Sequence, residues 1–147
     1  MDCAVARLDQ GVSLVAPQAP GFAFDPSRPP AKVAKKTLVR KIGRTTAMTT
    51  GLVTAAEVGG FFVDYQNGPA LFEHQLEVTG LNGPVAAHGD SGALVVNENG
   101  AAVGLLFAVS ETGVAYVNPI APALEMLACL SAEPSSWHLV EPLVLFT

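Results

Sequence analysis

The sequence predicts an all-β domain, an antiparallel barrel with a short C-terminal helix, and three observations carry that prediction. Half of the residues are hydrophobic and only 14% are charged, enough apolar material for one core in a chain of 147 residues. Fourteen glycines and eleven prolines interrupt the chain too often for long helices. Between these breaks the apolar residues alternate with polar ones at the period of a half-buried strand, as Phe61, Val63 and Tyr65 do against Phe62, Asp64 and Gln66.

Taken in order, residues 2 to 8 read as a strand within a first segment, 1–15. Residues 16–37 read as a linker, because Ala16-Pro17-Gln18-Ala19-Pro20-Gly21 and Asp25-Pro26-Ser27-Arg28-Pro29-Pro30 lack the amide donors of a ladder. Strands are then expected at about 38–43, 50–57, 60–66, 70–79, 93–97, 101–109 and 113–118. Asn67-Gly68 and Asn99-Gly100 are hairpin signals, and the second makes residues 93–109 an antiparallel pair. Such a series of short strands closes, or nearly closes, a barrel. Ile120 to Leu130 carries apolar residues at helical spacing with Pro122 in the first turn, so a helix should end the domain, which is taken as 38–130. Residues 131–147 form a tail whose apolar end, Pro142-Leu143-Val144-Leu145-Phe146, has no physical account from sequence.

Several classes of function are disfavoured by composition. A net charge of −5 and the lack of a run mixing basic and aromatic residues argue against nucleic acid as a partner. The one basic cluster, Lys32, Lys35, Lys36, Arg40, Lys41 and Arg44, reads as a solvated entry to the first barrel strand. No apolar run reaches the roughly 18 residues of a membrane span and no signal peptide opens the chain, so a soluble protein is expected. The compartment stays open between the cytoplasm and secretion with a signal segment outside this sequence. Cys3 and Cys129 are too few for a disulfide framework and are expected as free, buried thiols. Neither a metal nor a cofactor is expected.

The stretch that carries chemistry is His88-Gly89-Asp90-Ser91-Gly92-Ala93-Leu94-Val95-Val96. Gly89 and Gly92 allow a tight turn around Ser91, so that the amides of Gly89 and Ser91 can point together at the oxygen of an attacked carbonyl. Asp-Ser-Gly is also ordinary turn chemistry between strands. With the strand that follows it, Gly-Asp-Ser-Gly resembles the nucleophile segment of the chymotrypsin-like serine peptidases. Gly43-Arg44-Thr45-Thr46 is similar to the segment that opens the C-terminal barrel in the secreted bacterial branch of that family. Gly104-Leu105-Leu106-Phe107-Ala108 with Gly113-Val114-Ala115-Tyr116-Val117-Asn118-Pro119-Ile120 looks like the strand pair that walls the specificity pocket.

The resemblance implies a Greek-key barrel, the second of two, acting on a polypeptide substrate. It makes Ser91 the nucleophile, Gly89 and Ser91 the oxyanion donors, and Arg44 the buried ion-pair partner of Asp90. Asp2-Cys3-Ala4-Val5-Ala6-Arg7-Leu8 is similar to the strand that carries the triad aspartate, so Asp2 is the candidate for that role. The family's catalytic histidine lies well upstream of this aspartate, and 147 residues are short for two barrels. The expected chain is therefore a C-terminal barrel preceded by the last strand of the first, inert without the absent imidazole, with the missing barrel or a second copy as its partner.

None of the three histidines is an obvious substitute. His88 falls where the family lines the substrate cleft, His74 lies on the polar side of a strand, and His138 is in the tail. Val85 falls at the base of the pocket and Val109 near its entrance, which implies small or medium apolar P1 residues; plain packing is the other reading of both valines. Two departures from the family pattern stand out, Ala47 where glycine is commoner and Phe107 where many relatives have serine. A non-catalytic pseudoprotease or peptide-binding module is the competing function.

Overall fold

The computed structural model describes Cys3 and residues 19–130. Among these residues are eight strands and one helix: β1 (Leu38–Gly43), β2 (Ala47–Val58), β3 (Phe61–Tyr65), β4 (Gly68–Phe72), β5 (Gln75–Gly80), β6 (Leu94–Asn97), β7 (Ala102–Val109), β8 (Ala115–Pro119) and α1 (Ile120–Leu130). Six of the strands close an antiparallel barrel in the order β1-β2-β5-β8-β7-β6, while β3 and β4 form a separate two-stranded hairpin. The all-β barrel with a C-terminal helix is thus what the chain adopts.

Inward-facing aliphatic residues fill the barrel. Val39, Val53, Leu76, Val78, Val95, Val103, Leu106 and Val117 form one buried cluster, and Leu94, Val96, Ala102 and Ile120 form a second where α1 meets the outer face of β6 and β7. Burying such side chains is the main source of stability, roughly 1.5–3 kcal/mol each before conformational entropy is subtracted. The proline-rich stretch before β1 contains no strand, in line with its missing donors, but it is packed down. Phe22 and Phe24 lie against the second cluster, Ala31 and Val33 against the first, and the Asp25 and Ala31 amides donate to the Gly100 and Ala102 carbonyls.

Three expectations are corrected. A single strand over 70–79 is replaced by β4 and β5, because His74 takes a left-handed φ of 58° that breaks the extended backbone between them. Lys41 is not part of a solvated basic entry. β1 alternates between outward and inward positions, and Lys41 shares the inward face with Val39 and Gly43. Neither cysteine is in a disulfide, but buried thiols are not what is found, since Cys3 is half-buried and Cys129 exposed. The predicted strand at 2–8 and the tail 131–147 lie outside the described residues.

Strand order also fixes what crosses the barrel mouth. β5 and β6 stand on opposite sides of the six-stranded ring, so residues 81–93 between them must span its open end. The β1–β2 turn at 44–46 and the β7–β8 turn at 110–114 flank the same end.

Candidate active site

The crossing segment is pinned at its centre by Asp90. Its side chain is fully buried, and five donors converge on the carboxylate: Lys41 Nζ at 3.1 Å, Thr45 N at 2.7 Å, Thr46 N at 3.2 Å, Thr46 Oγ1 at 2.6 Å and Ala87 N at 3.1 Å. Lys41 Nζ also donates to the Thr46 hydroxyl and to the Ala47 carbonyl. Burial alone pushes the Asp90 carboxyl up, but the hydrogen bonds from Thr46, Thr45 and Ala87, with Lys41, more than reverse this and hold it well below the usual carboxylate range. For Lys41 burial wins, lowering the ammonium below the ordinary lysine value, and Asp90 restores only part of the difference.

The partner of Asp90 is therefore Lys41, and the expected pair with Arg44 is not formed. Arg44 sits at the crest of the β1–β2 turn, where its side chain is exposed, whereas Lys41 reaches Asp90 from inside the barrel wall. The Gly-Arg-Thr-Thr segment still serves the carboxylate, through the Thr45 and Thr46 amides and the Thr46 hydroxyl. Gly43 is required there, because a methyl group on it would collide with the Asp90 carboxylate. Ala47, at the end of the turn, takes a left-handed φ of 50°, a conformation that glycine adopts without strain. This gives the departure from glycine a physical meaning.

A second clasp holds the two turns together, with Thr45 Oγ1 donating to the His88 carbonyl at 2.8 Å. Gly89 and Gly92 both have positive φ, 97° and 86°. Between them Ser91 is exposed, and its hydroxyl faces the Phe107 carbonyl at 3.5 Å, the outer limit of a hydrogen bond. Among the described residues the amides of Gly89 and Ser91 donate to no protein acceptor, while the Asp90 amide between them is used by the Ala87 carbonyl. A turn fixed by a buried ion pair thus carries an exposed serine hydroxyl and two amides with no protein acceptor among the described residues, the kinds of group that can receive a polarised carbonyl oxygen.

No family model matches the sequence, and neither does any curated protein. Solved structures do match in fold. A glutamic acid specific serine protease that uses a histidine triad in substrate binding is 26% identical, with a TM-score of 0.53 over 72% of this chain and 51% of that one. Cellulomonas bogoriensis chymotrypsin is 22% identical, with a TM-score of 0.53 over 67% of this chain and 50% of that one. The active form of the Rv3671c protease of M. tuberculosis is 17% identical, with a TM-score of 0.52 over 73% and 46%. The chain has the fold of one barrel of the bacterial chymotrypsin-like serine proteases. It spans about half the length of these structures.

In this chymotrypsin-like barrel the other candidate residues are distributed unevenly around Ser91. His88 is exposed on the Ser91 turn, and no described imidazole is hydrogen-bonded to the Ser91 hydroxyl. Phe107 is buried and stacks on Phe72 of the β3–β4 hairpin, with ring centroids 4.5 Å apart, so its ring faces the hairpin while its carbonyl faces Ser91. Val109 is half-buried at the end of β7. Val85 belongs to the barrel core, and its carbonyl accepts the Thr49 hydroxyl at 2.6 Å. His74 sits at the opposite end of the barrel, exposed as expected, with Nδ1 2.5 Å from Glu57 Oε2. Asp2 and His138 lie outside the described residues.

Sequence reasoning missed Lys41 and Phe72. The signal for Lys41 was the alternation of β1, which places Val39, Lys41 and Gly43 on one face. Phe72 gave no signal, because its stacking partner is 35 residues away in the chain.

Proposed function

We propose that the chain carries the nucleophile-bearing half of a trypsin-like serine endopeptidase. Ser91 attacks a peptide carbonyl and the Gly89 and Ser91 amides hold the developing oxyanion. Asp2 fixes the tautomer of an imidazole contributed from outside the described residues, by an N-terminal barrel or a second copy. The observation that carries this reading is the turn itself, an exposed serine on a turn whose Gly89 and Ser91 amides have no protein acceptor among the described residues, held by a fully buried Lys41–Asp90 pair. A polypeptide substrate fits this chemistry, with small or medium apolar P1 side chains next to His88, Val109 and the Phe107 backbone, while the place of Val85 in the barrel core supports the plain packing reading of that residue. Neither cofactor nor metal has a step in it.

A serine without a base is an ordinary alcohol, and loss of the imidazole costs on the order of 10⁶ in turnover. With no described imidazole on Ser91, the 147-residue chain by itself is expected to be nearly inert. The same observation favours a second reading, a pseudoprotease module that binds peptide and does no chemistry. Fluorophosphonate labelling followed by intact mass measurement separates the readings. Slow modification confined to Ser91, abolished by Ser91→Ala, supports an idle nucleophile. No modification at large excess supports the binding module. Rapid stoichiometric labelling of the chain alone would overturn the expectation of inertness.

A further inference from the structure

Because Lys41 neutralises Asp90, the guanidinium of Arg44 has no acidic partner among the described residues. It is nonetheless close to the nucleophile turn. A methyl group built on Gly89 would come within 2.6 Å of Arg44 Nη2 and 3.3 Å of its Cζ, with Thr45 Oγ1 also at 2.6 Å. The hydrogen bond from Thr45 Oγ1 to the His88 carbonyl fixes the neighbouring residue to the same turn, so the position of Arg44 follows from the clasp. Asp90 cannot draw it inward, since its carboxylate already accepts from five donors. An exposed guanidinium, unpaired among the described residues, therefore stands beside Gly89, whose amide has no acceptor among them either.

We propose that Arg44 is a specificity residue that binds a carboxylate of the polypeptide engaged at Ser91, so that the site prefers an acidic group close to the attacked carbonyl. This rests on the peptidase or peptide-binding reading of the same turn. The chemistry is that of a planar guanidinium, whose paired N–H donors match a carboxylate. The carboxylate can belong to an Asp or Glu side chain or to a free C-terminus. An exposed pair of this kind changes affinity by about fivefold and weakens with salt.

The test is a titration of the isotopically labelled 147-residue chain, followed by the amide signals of Gly89 and Ser91. The probes are N-acetylated alanine pentapeptide amides carrying one Glu or one Gln, and the all-alanine pentapeptide as free acid and as amide. The Glu peptide is expected to bind about fivefold more tightly than the Gln peptide, an advantage lost in Arg44→Gln, reduced in Arg44→Lys, which keeps the charge without the paired donors, and transferred to a Lys-bearing peptide in Arg44→Glu. A matching advantage for the free acid over the amide assigns the site to a C-terminal carboxylate, and its absence assigns it to side chains. The unchanged spectrum of the barrel core shows that each variant folds. If Glu and Gln peptides shift the Gly89 and Ser91 signals with equal affinity, the role of Arg44 is overturned while the peptide site stands. If no peptide shifts them, both fall.

Discussion

The two ends of the barrel are made from the same strands and treat polar groups in opposite ways. At the Ser91 end a buried carboxylate has five donors, a buried lysine among them, and the turn that supplies three of those donors is clasped again to His88. At the far end a cavity of about 570 Å³ opens beside Val33, Gln75, Leu76, Val103 and Ile120. There Gln75 is only 3% exposed and its Oε1 has no hydrogen-bond partner among the described residues, while Glu57 and His74 face each other in solvent with left-handed φ of 60° and 58°. A saturated network has one low-energy arrangement, whereas an orphaned acceptor and an exposed pair tolerate several. Fixed geometry is concentrated where a carbonyl would be received.

The largest effect is expected from breaking the saturated end. Asp90→Ala leaves the Lys41 ammonium buried without its counter-charge and should cost about 3–5 kcal/mol in urea unfolding at neutral pH; a cost below 1 kcal/mol would erase the contrast between the ends. The same network sets the acid limit. The folded Asp90 carboxyl is held below its unfolded value, so its contribution is complete above the unfolded pKa of about 3.9 and is lost as pH falls from there toward the folded value. An acid titration of stability should be shallower in Asp90→Asn than in the parent chain.

At the far end the sign reverses. Gln75→Met removes an acceptor that has no partner among the described residues, at the cost of one bond from Nε2 to the Glu73 carbonyl. Thermal unfolding should show a gain of about 1 kcal/mol, and a loss would mean that the Gln75 amide is better satisfied than its geometry implies.

The smallest effect belongs to the exposed pair. The hydrogen bond and charge of Glu57 raise the His74 imidazole above its ordinary value, so their contribution is present below about pH 6.5 and fades as pH rises through the raised value. The imidazole midpoint followed by NMR should move down toward the ordinary histidine value in Glu57→Gln, with little change in unfolding. An unmoved midpoint would assign the shift to the charge of Glu73 instead.

The contrast between the ends also marks how far the sequence could be read. Period-2 alternation and the Asn-Gly turns located most barrel strands, since those signals are local. The break at His74 was hidden, because nothing in Leu71-Phe72-Glu73-His74-Gln75-Leu76 announces a left-handed residue inside an alternating run. The glycines around Ser91 were legible as a tight turn, and their positive φ values are what that turn needs. Arg44 was misassigned through the family resemblance, although the chain's own alternation pointed to Lys41. A residue three positions earlier on an inward face outweighed the one that the motif nominated.

The β3–β4 hairpin makes no ladder with the barrel, and a lone two-stranded hairpin is marginally stable in water. Its attachment is aromatic: Phe72 lies on Phe107 and Phe61 on Tyr116, with centroids 4.5 and 4.6 Å apart. Since the Phe107 carbonyl is the acceptor facing the Ser91 hydroxyl, the ring stack acts as a latch between a peripheral ribbon and the serine. Fluctuations that peel the ribbon away would loosen the flank of Ser91 in the same event, making the two a single cooperative opening unit in which a ligand gripping either part steadies the other.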